Sequence, residues 1–153
     1  MTKILFVCHG NICRSPMAEF VMKDMVNKQD MSKEFIIASA ATSSEEIGNP
    51  PHHGTKAKLR EFGISTAGKY AVKLTREDYQ EYDYLIGMDH MNIKNMHRIS
   101  GGDPDGKIQR LLDFTNRPGD IDDPWFSGDF EQTYVDVVEG CDALLQHILA
   151  GAW

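Results

Sequence analysis

Cys8 stands six positions before Arg14 in the run Cys8-His9-Gly10-Asn11-Ile12-Cys13-Arg14, a thiol and a guanidinium placed to act on one small anion. The apolar run Ile4-Leu5-Phe6-Val7 precedes it, and Ser15-Pro16-Met17-Ala18-Glu19 follows as a helix start. A loop between a buried strand and a helix N-terminus is a phosphate cradle, because its amide N–H groups and the helix dipole attract a tetrahedral dianion. The same field favours the thiolate of a cysteine lying in it, and the thiolate is the nucleophile. Arg14 adds a planar fork of donors matched to phosphate oxygens. Cys8 is thus the candidate nucleophile and Arg14 the candidate clamp, with His9, Gly10, Ile12 and Cys13 lining the ligand site between them. Gly10 permits close backbone approach, and Asn11 tolerates a positive φ better than most non-glycine residues. Ser15 can hydrogen-bond the Cys8 sulfur, which stabilises it as nucleophile and as leaving group. The Cys-to-Arg spacing alone is a weak signal; the strand before it and the helix after it make it specific.

A thiolate that attacks phosphorus needs an acid to protonate the departing oxygen. The candidate stretch is Asp120-Ile121-Asp122-Asp123-Pro124-Trp125-Phe126, three carboxylates and a turn-fixing proline before two aromatics that can flank a flat leaving group. Turns are often rich in Asp and Pro, so spacing leaves open a solvated acidic loop ending in a core tryptophan. The six histidines are scattered, and no Cys or His has a partner at zinc-like spacing, so neither a metal nor another cofactor is expected. Glycine-rich nucleotide loops are absent as well.

The elements that must position these groups alternate in type. Strand-like runs fall at 4–7, 35–40 and 84–88, with a weaker one near 107–111. Helical patterns run from Pro16 to about Asn27, from Thr55 to Phe62 before Gly63, from Asp89 to about Arg98, and from Phe130 to Leu149. Thr75-Arg76-Glu77-Asp78 has capping-box spacing. This order predicts an α/β fold: a three-layer sandwich with a central, mainly parallel four-stranded sheet flanked by helices on both faces. One domain over residues 1–153 is expected, since no repeat, linker or low-complexity tract interrupts it. Ligands of such sheets bind beyond the carboxyl ends of the strands, where the Cys8 loop lies.

Composition sets the outer bounds. The 153 residues are 41% apolar with a net charge of −7, which argues against general binding to nucleic acid or anionic membranes. No apolar run approaches a signal-peptide core or a membrane span, so a cytoplasmic protein without membrane insertion is expected. Three cysteines, an odd number, favour reduced thiols. Cys141 falls on the apolar stripe of the last helix and reads as a buried, inert side chain.

At these residues the chain resembles the low-molecular-weight protein tyrosine phosphatases over essentially its whole length. Val7 to Glu19 looks like the family's phosphate-binding signature, Asp123-Pro124-Trp125-Phe126 like its general-acid motif, and Ser39-Ala40-Ala41-Thr42 like a segment whose serine steadies the loop Asn11. Gly48 to Thr55 is similar to a stretch of the bacterial members. The resemblance implies hydrolysis of phosphotyrosine in proteins by way of a cysteinyl-phosphate. Cys8, Arg14 and Asp123 are then catalytic, Trp125 and Phe126 join the loop residues Asn11 and Ser15 at the substrate, and Asn11, Ser15 and Ser39 support the loop. It also implies inhibition by phosphate-like oxyanions and a reversible Cys8–Cys13 disulfide under oxidation.

The chain departs from the pattern at His9, often Leu or Thr; at Glu45-Glu46, where an aromatic commonly walls the pocket; at Ala41, usually Gly; and at Val72, often Arg. The acidic pair predicts poor turnover of strongly acidic phosphopeptides. A protein-arginine phosphatase would typically carry Thr in place of Ile12, whose apolar side chain suits a phenyl ring. An arsenate reductase would need further cysteines between Cys13 and Cys141, and a non-catalytic phosphotyrosine-binding module would have lost the nucleophile or the acid.

Overall fold

The computed structural model describes residues 1–151; residues 152 and 153, the end of the expected domain, lie outside the described residues. Four strands, β1 (Thr2–Cys8), β2 (Phe35–Ala41), β3 (Tyr84–Gly87) and β4 (Ile108–Arg110), form one sheet in the order β2-β1-β3-β4. Every pairing is parallel, so the expected mainly parallel sheet is wholly parallel. The chain leaves β1 for β2 on one side and later returns to β3 on the other. The end of β1 is therefore the topological switch point, where a crevice opens in such sheets. Cys8 is the last residue of β1.

Strand alternation decides which way each side chain faces. Ile4, Phe6 and Cys8 of β1, with Tyr84 and Ile86 of β3, join one core, under α1 (Arg14–Lys28) and α6 (Phe130–Leu149). Leu59 of α2 (His53–Arg60) packs into the same layer. Leu5, Val7 and Leu85 face the opposite core, with Tyr79 of α3 (Asp78–Glu81) and Met96 of α4 (His90–Ser100). These are the three layers. The parity that buries Ile4 and Phe6 against α1 also turns Cys8 toward the N-terminus of that helix.

The helices start where their caps dictate. α2 begins two residues before the expected Thr55, because the His52 ring accepts the Gly54 N–H at 3.0 Å. It stops at Arg60, and Gly63, with φ 72°, carries the chain round so that the Ile64 N–H reaches Leu59 O at 3.0 Å. The Thr75–Asp78 box forms, with bonds of 2.9 and 3.3 Å, yet α3 lasts one turn because Asp83 N–H is drawn to Lys3 O beside the sheet. Asp89 caps α4 in a full capping box with Asn92. An additional one-turn helix, α5 (Pro124–Ser127), follows Asp123. Cys141 is fully buried on α6, its thiol pushed up by burial and directed at Ala18 O at 3.7 Å.

Candidate active site

The loop from Cys8 to Arg14 closes the end of β1 onto the start of α1. Its bend is made by Asn11, which has φ 59° and is fully buried. That left-handed turn is held from inside the protein. Asn11 Nδ2 donates to Ser15 Oγ at 2.7 Å and to Ser39 Oγ at 2.9 Å, while its Oδ1 accepts Val72 N–H at 3.1 Å. Ser39 Oγ in turn donates to the buried carboxylate of Glu19 at 2.5 Å. Lys69 Nζ donates to Ser39 O at 2.9 Å and lies 3.6 Å from Glu19; burial lowers its pKa, opposed by Glu19. A strained φ in a catalytic loop persists only when its surroundings over-determine it, and these bonds do so.

Ser15 sits directly behind the sulfur. Its Oγ is 3.1 Å from Cys8 Sγ and its backbone N–H 3.4 Å away, so two donors at the first turn of α1 converge on one thiolate position. Cys13, in the same loop, has its pKa pushed up to about 12 by burial, then by Cys8 and Asp123, and remains a thiol at neutral pH. All three cysteines are free.

Arg14 is 2% exposed, the largest fully buried side chain of the core. Its Nη1 donates to Asp89 Oδ2 at 2.7 Å and to Ile121 O at 2.8 Å, and its Nη2 lies 3.5 Å from Asp123 Oδ2. Burial opposes the charge, but Cys8, Asp89 and Asp123 outweigh it and hold the pKa above the ordinary guanidinium value. Nε is buried without a protein acceptor. One edge of the guanidinium is thus anchored, Nε keeps a donor without a protein acceptor, and the side chain lines the cleft, where such a donor can serve a phosphate oxygen.

Asp123 caps α5: its Oδ1 accepts Trp125 N–H at 3.1 Å, which leaves Oδ2 toward Arg14. The segment before it is pinned by Ile121 N–H on Met88 O at 2.9 Å and by Asp120, which accepts from His90 and Arg110. A cleft of about 480 Å³ lies between this segment and the loop, lined by Cys8, His9, Gly10, Ile12, Cys13, Arg14, Glu45, Glu46, Asp123, Trp125 and Phe126. Trp125 is 56% and Phe126 85% exposed, an apolar lip beside the acid. The Trp125 ring meets His52 edge-on at 5.5 Å, and His52 stacks on Phe130 at 5.1 Å. Only glycine fits at position 54, since a Cβ there would fall 2.4 Å from the Phe130 ring. On the opposite rim His9 Nε2 meets Glu45 Oε2 at 2.5 Å, and Glu46 packs against Gly10.

Cys8, Arg14, Asp123 and the two aromatics are therefore brought together, with His9, Gly10, Ile12 and Cys13 around them. Asn11 and Ser15, expected at the substrate, have side chains buried behind the loop; they support it, with Ser39, and do not line the cleft. Sequence reasoning missed Asp89, read only as a helix cap, and also Glu19, Lys69 and His52. A buried-side carboxylate at the C-terminal end of β3, next to the switch point, was the available signal for Asp89.

A family model for the low molecular weight phosphotyrosine protein phosphatases matches residues 3–151. The low molecular weight protein-tyrosine-phosphatase YfkJ of Bacillus subtilis is 39% identical over 150 residues, spanning 97% of this chain and 96% of the relative. Its crystal structure superposes with a TM-score of 0.95, covering 100% of this chain and 98% of that one. The low molecular weight protein tyrosine phosphatase of Streptococcus pyogenes superposes at 0.87 with 44% identity, covering 97% and 93%. The Drosophila arginine phosphatase superposes at 0.88 with 30% identity, covering 96% and 98%. With a family model over residues 3–151 and relatives matching nearly end to end, the chain belongs to the low molecular weight phosphotyrosine protein phosphatase family, a family of hydrolases.

Proposed function

We propose that this chain hydrolyses phosphotyrosine in cytoplasmic proteins through a cysteinyl-phosphate on Cys8. The observation that carries this reading is the cleft wall itself: a sulfur flanked by two Ser15 donors, a guanidinium with an unused buried Nε, and the outer oxygen of Asp123. The Cys8 thiolate attacks phosphorus in line while Arg14 and the loop amides hold the equatorial oxygens. The bond from phosphorus to the tyrosyl oxygen breaks, and the Asp123 carboxyl donates its proton to that oxygen. Asp123, now a carboxylate, takes a proton from water; the water oxygen attacks phosphorus, the P–S bond breaks, and phosphate leaves with the thiolate restored. Phosphate-like oxyanions would occupy the same cradle and inhibit. Among the described residues no helix is long and apolar enough to cross a membrane, and the net charge of −7 disfavours nucleic-acid partners. The family extent supports a single domain.

Phosphotyrosine is favoured over phosphoarginine by Ile12, which offers a nearly buried apolar wall, and by the Trp125–Phe126 lip. kcat/KM for a phosphotyrosine peptide is expected to exceed that for its phosphoarginine counterpart; the reverse order would assign the arginine activity instead. Arsenate reduction lacks its relay, because the remaining thiol, Cys141, is 0% exposed.

Asp123→Asn tests the acid by its dependence on the leaving group. Loss of a general acid costs roughly 10²–10⁴-fold in kcat where the leaving oxygen is basic, as in phosphotyrosine, and far less for p-nitrophenyl phosphate. Equal losses on both substrates would exclude Asp123 as proton donor.

The rim supplies a second expectation. Glu45→Gln with Glu46→Gln removes two carboxylates from the cleft lining, so kcat/KM for an acidic phosphopeptide should rise about threefold to tenfold relative to a neutral one at low salt. An unchanged ratio would clear the rim of any part in selectivity.

A further inference from the structure

A second cavity of about 530 Å³ has Pro51, Lys56, Arg60, Ser65, Lys69 and Tyr70 in its walls. Among the described residues no carboxylate lines it, although the chain carries 23 acidic residues against 16 basic ones. Lys56 and Arg60 are four apart on α2, so their charges share a face and repel. Arg60, in the last turn, complements the helix dipole; Lys56 does not, and among the described residues neither has a carboxylate partner. Glu61, next to Arg60 in sequence, is taken by Lys58, which also pairs with Glu131. Lys69 also reaches the wall, but it is committed elsewhere: it lies 3.6 Å from Glu19 and donates to Ser39 O at 2.9 Å, with only 10% of its side chain exposed. Lys56 and Arg60, left to repel each other, are stabilised when an anion enters the cleft beside them.

One short segment, residues 46–51, contributes to both cavities. Glu46 lines the catalytic cleft and Pro50 and Pro51 the second, while Gly48 N–H and Asn49 O between them bond the Ala71 backbone at 2.9 and 2.8 Å. Ala71 packs on Ile12 and Cys13 of the catalytic loop, and its neighbour Tyr70, 57% exposed, faces the second cleft.

We infer that the cleft whose cations are Lys56 and Arg60 is a second anion site, built for a phosphate-bearing polyanion and separate from the catalytic loop. The anion is either a free small molecule or a second phosphorylated residue of the protein substrate. Two cations one helical turn apart fit several phosphate oxygens better than a single carboxylate, and the flanking prolines and Tyr70 give the rest of the ligand an apolar surface.

Amide spectra of the nitrogen-labelled chain, titrated with tripolyphosphate at about 0.15 M salt, read this site directly. Saturable shifts are expected at Gly63, Ser65, Thr66 and Gly68, in addition to those of the catalytic loop. Lys56→Glu with Arg60→Glu should weaken the second set at least about tenfold and leave the first set in place. Turnover of p-nitrophenyl phosphate by the double variant should stay within about twofold of the original, which also reports an intact fold. Shifts confined to residues 8–15, or second-set shifts that survive the charge reversal, would overturn the site. Phosphotyrosine peptides with and without a second phosphorylated residue separate the two sources. A lower KM for the doubly phosphorylated peptide, lost in the double variant, assigns the cleft to the substrate; equal KM values with tripolyphosphate shifts retained assign it to a free polyanion. The amide shifts test the site itself whatever the catalytic reading; only the assignment of its source through KM rests on that reading.

Discussion

Cys8→Ser is expected to abolish turnover while leaving the pocket able to bind phosphate. The hydroxyl occupies nearly the place of the sulfur, at the end of β1 and within reach of the Ser15 Oγ and N–H. Two donors that stabilise a thiolate cannot make an alkoxide available near neutral pH, because an alcohol ionises many units above a thiol. kcat should therefore fall by at least about 10⁴-fold, roughly 5.5 kcal/mol of barrier. The groups that hold the substrate, Arg14 with its unused Nε and the amides around Asn11, are untouched. Orthovanadate or a phosphotyrosine peptide should bind with little change in Kd, and unfolding should shift little, since the substitution adds no volume. The peptide complex should persist, which makes this variant the means to capture the protein substrates. Turnover by Cys8→Ser or by a Cys8→Ala control within about tenfold of the original would remove Cys8 from the nucleophile's role, and loss of binding would mean that the serine had disturbed the loop.

The parts of this site that were legible in the sequence are those that chain neighbours specify. Cys8 and Arg14 lie on one loop, so the apolar run before it and the helix start after it suffice to give them a role. The positive φ of Asn11 follows from its own side-chain chemistry, and it is found at 59°. Asp123 was ambiguous for a physical reason: an Asp-Pro in an acidic stretch is what any capped turn looks like, and Asp123 does cap α5. Only a resemblance spanning the whole motif separated it from Asp120 and Asp122. Asp89 was read through one of its two oxygens. Its Oδ1 accepts Asn92 N–H in a capping box, a pattern three residues long, while its Oδ2 takes Arg14 from 75 positions away. Nothing local announces the second bond, because it exists only where a parallel sheet brings the ends of β1 and β3 side by side. Glu19 and Lys69 were missed for the same reason: each acts on the loop through Ser39 of a neighbouring strand.

That shared dependence on distant partners makes Arg14→Lys the substitution with the second large effect, one that keeps the charge and fails nevertheless. The guanidinium meets Asp89 and Ile121 O through Nη1 and approaches Asp123 through Nη2, with Nε left for the substrate. An ammonium is a single point with three donors and cannot reach that set from one position. If it stays with Asp89, the phosphate loses a parallel pair of donors that strengthens as charge moves onto the equatorial oxygens. Each such donor is worth about 10²–10³-fold, so kcat should drop by about 10³-fold or more, while KM changes less. Stability should fall as well, because Ile121 O is left without its buried donor, at about 1–3 kcal/mol. For a chain of this length that is a loss of about 2–10 °C in Tm. Asp89→Asn separates the two roles. Asparagine caps a helix as well as aspartate does, so α4 should keep its box, while Arg14 loses its closest counter-charge. Turnover should then fall with a smaller change in Tm than Arg14→Lys produces. An Arg14→Lys enzyme with near-original kcat would mean that a point charge suffices at the transition state, and that the anchored, fork-shaped donor set has no part in catalysis.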